Sequence, residues 1–284
     1  MLTSMKPVIE LAYKEKFAVG QFNIHNIEWI TAVLNAAKKQ KSAVILGVSS
    51  GSIPQMGGFK TIVSIVTHLI DYLEITTPVV IHLDHGKSVK ICKEAIDAGF
   101  TSVMFDGSHL PFKENLKLSL EVINYAKSKD VSVELELGTI AGSEDGIVNS
   151  NVIYADLKEC EEIAKLKPTA FAPALGSTHG LYRGKAKIGF AEMEEISLAT
   201  KIPLVLHGGT GISDKDILRA ISLGTAKVNV NTEFMYEWCL TVKQLFENTT
   251  TDINDPRKVI NIGCNAVSKA IEDKIMLLGS NNRY

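Results

Sequence analysis

His85, His179 and His207 each stand at the end of a short apolar run. The runs cover 79–85, 170–179 and 203–207, and each reads as a buried strand that opens into a loop at its histidine. Neutral imidazoles gathered at one place, with a coordination position left open, suit Zn2+, and Co2+ and Fe2+ accept the same ligands. Asp84 directly precedes His85 and is a carboxylate able to take a proton beside such an ion. His82 lies within its run and is expected to be structural, while His25, His68 and His109 receive no metal role.

A second chemical element is His207-Gly-Gly-Thr-Gly-Ile-Ser-Asp214. Glycines after a strand let backbone N–H groups approach an anion, and Ser213 or Asp214 then opens a helix. Asn229-Val-Asn-Thr232 ends the next apolar run, so the two segments together read as a phosphate seat.

These residues need a scaffold that delivers strand ends to one rim. Apolar runs at 17–21, 43–47, 79–83, 102–105, 131–136, 170–175, 203–206 and 227–230 alternate with helix-period segments at 27–40, 59–73, 89–98, 113–127, 157–166, 191–200 and 214–223. Ser88 and Ser213 read as N-caps, and Gly99 and Gly224 as stops. Eight strands in strict alternation with helices, with no linker or charge block, predict one α/β domain over 1–284, a (β/α)8 TIM barrel. Helical segments at 233–246 and 255–278 follow it and would cap the barrel or pack on another subunit. A doubly wound sheet would show a glycine-rich first turn, but Gln21-Phe-Asn-Ile-His25 stands there.

At the strand ends stand Asn23, Ser49, Asp84 and His85, Asp106, Glu134 and Glu136, Ser177 and His179, His207 to Thr210, and Asn229 to Thr232. Polar groups there would be costly in a core, so a hydrated mouth explains them better. The 284 residues carry 30 basic and 32 acidic side chains, which gives no field favouring nucleic acid or an anionic membrane. Neither a secretory pattern at the N-terminus nor an 18-residue apolar stretch is visible, and mean hydropathy is +0.11. Cys92, Cys160, Cys239 and Cys264 are scattered without a C-x-x-C, so a cytoplasmic protein with reduced thiols is expected.

Long segments resemble the class II, metal-dependent ketose-bisphosphate aldolases from end to end. They are Gly20-Gln-Phe-Asn-Ile-His-Asn26, His82-Leu-Asp-His-Gly86, Ser102-Val-Met-Phe-Asp-Gly-Ser-His109, Glu134-Leu-Glu-Leu-Gly138 and Gly142-Ser-Glu-Asp145. Pro173-Ala-Leu-Gly-Ser-Thr-His-Gly180, Leu206-His-Gly-Gly-Thr-Gly211, Lys227-Val-Asn-Val-Asn-Thr-Glu233 and Asp255-Pro-Arg257 complete the set.

The resemblance implies that His85, His179 and His207 bind the metal, that Asp84 handles the C4 hydroxyl proton, and that Glu144 moves the proton beside the carbonyl. It assigns Asn229 to the enediolate, and Gly180, Gly208, Gly209, Thr210, Asn231 and Thr232 to the dihydroxyacetone-phosphate end, with Asn23 and Ser49 nearby. Glu136 and Asp106 match a second or alternative metal site. Arg257 matches an arginine that reaches a neighbouring subunit's far phosphate, which implies a homodimer or homotetramer. A monovalent cation held by backbone carbonyls is left open, because carbonyls carry no sequence signature.

Two segments lean to different sugars. His179-Gly-Leu-Tyr182 and Phe22-Asn-Ile-His-Asn26 are closer to tagatose-bisphosphate aldolases. Pro173-Ala-Leu-Gly-Ser177 and His207-Gly-Gly-Thr-Gly-Ile212 are closer to the fructose branch, which is the preferred reading. An inositol-catabolic aldolase is a further alternative. A Schiff-base route needs a desolvated lysine, yet none ends the sixth strand, and Lys227 is expected at the wrong end of the eighth. A non-catalytic subunit would lack the histidines or the acid, and a hydrolase barrel would carry a histidine at position 23.

Overall fold

Ser88 and Ser213 do start helices: their hydroxyls accept from the N–H groups of Ile91 and Asp216. Gly99 closes a helix in the left-handed region, as a residue without Cβ can. The computed structural model describes residues 1–284 except 145, 146, 150–152, 181, 183 and 250–252, with backbone alone at 141, 143, 144 and 147–149.

The chain runs α1 (Met5–Glu15), β1 (Val19–Asn23), α2 (Ile27–Gln40), β2 (Val44–Ser49), α3 (Ser52–Gln55), α4 (Phe59–Tyr72) and β3 (Val79–Gly86). It continues with α5 (Val89–Ala98), β4 (Ser102–Phe105), α6 (Phe112–Lys127) and β5 (Ser132–Leu137). A hairpin of β6 (Ala141–Glu144) and β7 (Ile147–Asn149) leads to α7 (Leu157–Lys165), β8 (Ala170–Pro173) and the short β9 (Thr178–His179). Then follow α8 (Phe190–Thr200), β10 (Leu204–Leu206), α9 (Asp214–Ser222), β11 (Thr225–Val230), α10 (Thr232–Asn248) and α11 (Pro256–Leu277).

Eight parallel strands close in the order β1-β11-β10-β8-β5-β4-β3-β2, which is a (β/α)8 barrel; α11 packs on α2 and β1 as its eighth helix, and α10 is an added C-terminal helix. The first strand lies two residues later than the sequence pattern predicts, which brings Asn23 into the strand itself. No helix among the described residues is long and apolar enough to cross a membrane.

Helix α1 is absent from the sequence-based expectation. Its Met5, Val8, Ile9 and Ala12, at helical spacing, are buried against Val19, Ile45, Val80, Ala170, Ala172 and Val205. The helix therefore plugs the N-terminal end of the barrel. The larger core lies between the strands and the surrounding helices.

Along the lumen, side chains change from apolar to polar as the strands rise. By strand alternation, β1 offers Val19, Gln21 and Asn23, and β3 offers Val80, His82 and Asp84. In the middle layer Lys227 is wholly buried, with Nζ 2.6 Å from Glu134 Oε2. This corrects the placement of Lys227 at the barrel's wrong end: it is the third residue of β11 and points into the lumen. Burial pushes the Glu134 carboxyl up, but the Lys227 charge and the His207 hydrogen bond reverse this and hold it below the usual carboxylate range. An amine committed to a carboxylate at this distance is not poised as a Schiff-base nucleophile.

His82 is structural, as anticipated. Its Nδ1 lies 2.8 Å from Ser102 Oγ, and burial, followed by the Lys227 charge, lowers its imidazole to about 3. The unfolded chain therefore binds a proton at His82 below pH 6.5 that the folded protein refuses until about 3. His82 lowers stability as pH falls through this window, by about 1.4 kcal/mol per pH unit, and has no effect above it. Urea unfolding of wild type and His82→Gln across pH 4.5–7.5 should show a shallower acid loss in the variant; equal slopes would contradict the buried neutral imidazole. Lys227→Met leaves Glu134 buried without its cation and should cost about 3–5 kcal/mol in the same assay at pH 7.

Candidate active site

Asp84 and His85 are adjacent in β3, so a regular strand would send them to opposite faces. The ladder between β3 and β4 slips between Leu83 and Gly86, and His85 takes a left-handed backbone with φ 50°. Both side chains then serve one site. Asp84 lines the cavity, while His85 packs against His179 and His207 with ring centroids at 5.1 and 4.8 Å. Gly86 permits the slip, because a Cβ there would meet the Met104 carbonyl oxygen at 2.6 Å.

The three imidazoles bring one nitrogen each to within 4.8 Å of one another. Carboxylates behind two of them fix their protons. His207 Nε2 lies 2.9 Å from Glu134 Oε1, and His85 Nδ1 lies 3.0 Å from Asp106 Oδ2. An ionised carboxylate only accepts, so these nitrogens carry the hydrogen, and His207 Nδ1 and His85 Nε2 carry the lone pairs. Asn229 Nδ2 stands 3.2 Å from His207 Nδ1, and its buried Oδ1 has no hydrogen-bond partner among the described residues. Neutral nitrogen donors with carboxylates behind them are the donor set of a transition-metal site, and these residues fit a divalent ion.

A second set lies beneath. His85, Asp106 and Glu136 are all buried, with ligand atoms again within 4.8 Å of one another. Burial pushes the Asp106 carboxyl up, but the His85 hydrogen bond and the His85 and Lys87 charges outweigh it and hold Asp106 below its ordinary range. Glu136 goes the other way: burial and the Asp106 charge raise it well above the usual value.

A cavity of about 450 Å³ opens at the strand ends. Asn23, Ser49, Asp84, His179, Gly180, His207, Gly208, Thr210, Asn229, Asn231 and Thr232 all lie on its wall. Asn23 Nδ2 donates to Asp84 Oδ2 at 3.1 Å and holds that carboxylate in place. Gly208 and Thr210 meet the start of α10, where Asn231 makes no side-chain cap; Thr210 Oγ1 accepts from the Glu233 N–H at 3.3 Å and the Asn231 carbonyl from that of Phe234, which leaves the Thr232 N–H to face an anion. The acid in that first turn, Glu233, is ion-paired to Lys274 at 2.9 Å, so it does not repel one.

Other expected residues lie elsewhere. Gly209 is not on the cavity wall: its N–H donates to the Asn229 carbonyl at 2.9 Å, which removes it as a donor to a bound anion. Arg257 is exposed at the start of α11, forked onto Asp255 at 3.0 Å, and does not reach the cavity of its own chain. Glu144 ends β6, and its side chain lies outside the described residues. The backbone of β6 pairs with β9, Gly142 opposite His179, so the segment carrying Glu144 is tied to a metal-ligand candidate.

Sequence reasoning overlooked His25 and Tyr182. His25 lines the cavity, with Nε2 3.1 Å from Asn231 Oδ1. The Tyr182 hydroxyl accepts from the Thr178 N–H at 2.9 Å and donates to the Gly208 carbonyl at 3.1 Å. It staples the loop of His179 to the loop of His207. The two backbones run so close that a Cβ on Gly208 (φ 63°) would sit 2.2 Å from the Thr178 oxygen. Tyr182→Phe keeps the ring and removes the staple, so isothermal titration with Co2+ should show affinity weaker by about 10- to 100-fold. Unchanged affinity would mean that the staple does not position the imidazoles.

Comparison with known proteins agrees with this geometry. The family model described as fructose-bisphosphate aldolase class-II matches residues 3–283. A fructose-bisphosphate aldolase of Geobacillus stearothermophilus is 53% identical over 283 residues, 99% of this chain and 98% of its own. One from Staphylococcus aureus is 51% identical over 99% of both chains. Among solved structures, the YdjI aldolase of Escherichia coli K12 superposes with a TM-score of 0.86 at 30% identity, covering 100% of this chain and 99% of its own. The chain belongs to the class II fructose-bisphosphate aldolase family, whose members are metal-dependent lyases.

Proposed function

We propose that this protein cleaves fructose 1,6-bisphosphate reversibly into dihydroxyacetone phosphate and glyceraldehyde 3-phosphate, with Zn2+ as its ion. One observation carries the reading above the others: three imidazoles, two of them backed by carboxylates, converge beside a buried aspartate at a cavity that also holds an anion seat. The names and high identity of the relatives support fructose bisphosphate as the sugar.

His85, His179 and His207 would hold the ion, which supplies Lewis-acid polarisation of the ketone when bound. Asp84, fixed by Asn23, takes the proton from the C4 hydroxyl as the C3–C4 bond breaks. Asn229, on the cavity wall, donates from its amide to the enediolate oxygen, a role supported by its place beside His207. Glu144, carried on the β6 hairpin, returns a proton to C3. Gly180, Gly208, Thr210, Asn231 and Thr232 hold the phosphate of the ketone fragment through backbone N–H groups and hydroxyls. Ser49 lines the same wall.

The reading includes a homo-oligomer. Helix α10 buries only Phe234, while Met235, Tyr236 and Phe246 are exposed, and Arg257 projects away from its own cavity. It also includes a cytoplasmic location, supported by four free cysteines.

A coupled assay on fructose and tagatose 1,6-bisphosphates tests the function, as purified, after chelation and after Zn2+ is restored. Triose phosphate release should be lost on chelation, regained with Zn2+, and show the larger kcat/KM on the fructose ester. Activity that survives full metal removal would overturn the mechanism, and a larger value on the tagatose ester would overturn the substrate. Asp84→Asn should lower kcat by about 100- to 10,000-fold with metal content unchanged. A near-normal kcat in that variant would remove Asp84 from the proton transfer.

A further inference from the structure

The recess formed by His85, Asp106 and Glu136 has the ligands for a divalent ion of its own. A cation already reaches it. Lys87, the residue after the β3 slip, places Nζ 2.5 Å from Asp106 Oδ2, the atom that also accepts from His85 Nδ1 at 3.0 Å. The other oxygen, Oδ1, accepts from the Ser108 N–H at 3.1 Å and the Ser108 hydroxyl at 2.6 Å. Asp106 therefore has both oxygens engaged, and an incoming ion would have to displace the ammonium.

Charge balance points the same way. Asp106 and Glu136 are at most 2% exposed and supply at most two negative charges. A divalent ion alone would neutralise them, whereas the ion and Lys87 together would leave a positive excess beside the two buried carboxylates. Glu136 Oε2, buried and 3.6 Å from His85 Nδ1, makes no hydrogen bond among the described residues.

We propose that Lys87 is a tethered cation standing in for a second metal. The protein then holds one divalent ion per subunit, and His85 is committed to the three-imidazole site rather than shared with the recess below. The inference rests on the metal-dependent reading of those imidazoles. It makes Lys87 a residue that selects where the ion sits, without contact to substrate.

The test is metal uptake, independent of activity. Wild type, Lys87→Arg, Lys87→Met and Lys87→Ser are dialysed to equilibrium against buffered Co2+, and metal per subunit is read by atomic emission with the visible spectrum recorded. The Lys87 side chain is 44% exposed, and two neutral variants of different size guard against a local packing failure. Wild type and Lys87→Arg should take one equivalent. Lys87→Met and Lys87→Ser should take a second, at least about tenfold tighter than any further uptake by wild type. Adding Glu136→Gln to Lys87→Met should abolish that second equivalent. Two equivalents in wild type, one in both neutral variants, or a second that survives Glu136→Gln would each overturn the proposal while leaving the three-imidazole site intact. A wild-type protein that takes up no metal would overturn the proposed function, and this inference with it.

Discussion

The site depends on one backbone constraint: two consecutive residues, Asp84 and His85, must serve the same site, Asp84 on the cavity wall and His85 against the other two imidazoles. Strand geometry forbids it, and the protein resolves the conflict with a slipped ladder and a histidine at φ 50°. Such a conformation costs on the order of 1–3 kcal/mol and persists only where neighbours enforce it. Here the neighbours are identifiable. The tight approach of Gly86 to Met104 locks the slip, the Ser50 hydroxyl donates to the His85 carbonyl, and Asp106 on the adjoining loop fixes the ring. A proton acceptor and a metal ligand thereby come into register without any long-range adjustment.

The interior charges follow from the same economy of position. Glu134 takes the ion pair with Lys227 and the hydrogen bond from His207, and it lies 3.7 Å from His82 Nε2. One carboxylate thus neutralises the middle of the lumen and orients a ligand at its rim. Below it the α1 plug keeps the lumen apolar, and above it the wall becomes polar. A buried charge network of this kind is a poor source of stability but a strict one of geometry, because removing any member leaves an uncompensated charge.

Much of this was legible in the sequence because barrels deliver chemistry to strand ends, and strand ends are marked by apolar runs that stop. His85, His179, His207, Asp84 and Asn229 were found that way, and their meeting at one site follows from closure of the sheet. What was not legible depends on pairing across the lumen or between loops. Nothing in the spacing of Lys227 and Glu134 says that they touch. Tyr182 becomes meaningful only when Thr178 and Gly208 are adjacent, and Gly209 loses its N–H to a carbonyl on the next strand. Helix α1 is different: its buried residues recur at helical spacing, so the signal was present and overlooked.

The central claim is that His85, His179 and His207 together hold one divalent ion. Anomalous diffraction from crystals equilibrated with Zn2+, recorded on both sides of the zinc absorption edge, tests it directly. The account predicts one strong peak per subunit bonded to the three imidazoles at about 2.0–2.1 Å, with the remaining position facing the cavity of Asp84. A peak bonded instead to His85, Asp106 and Glu136, or no peak among the three histidines, would contradict it.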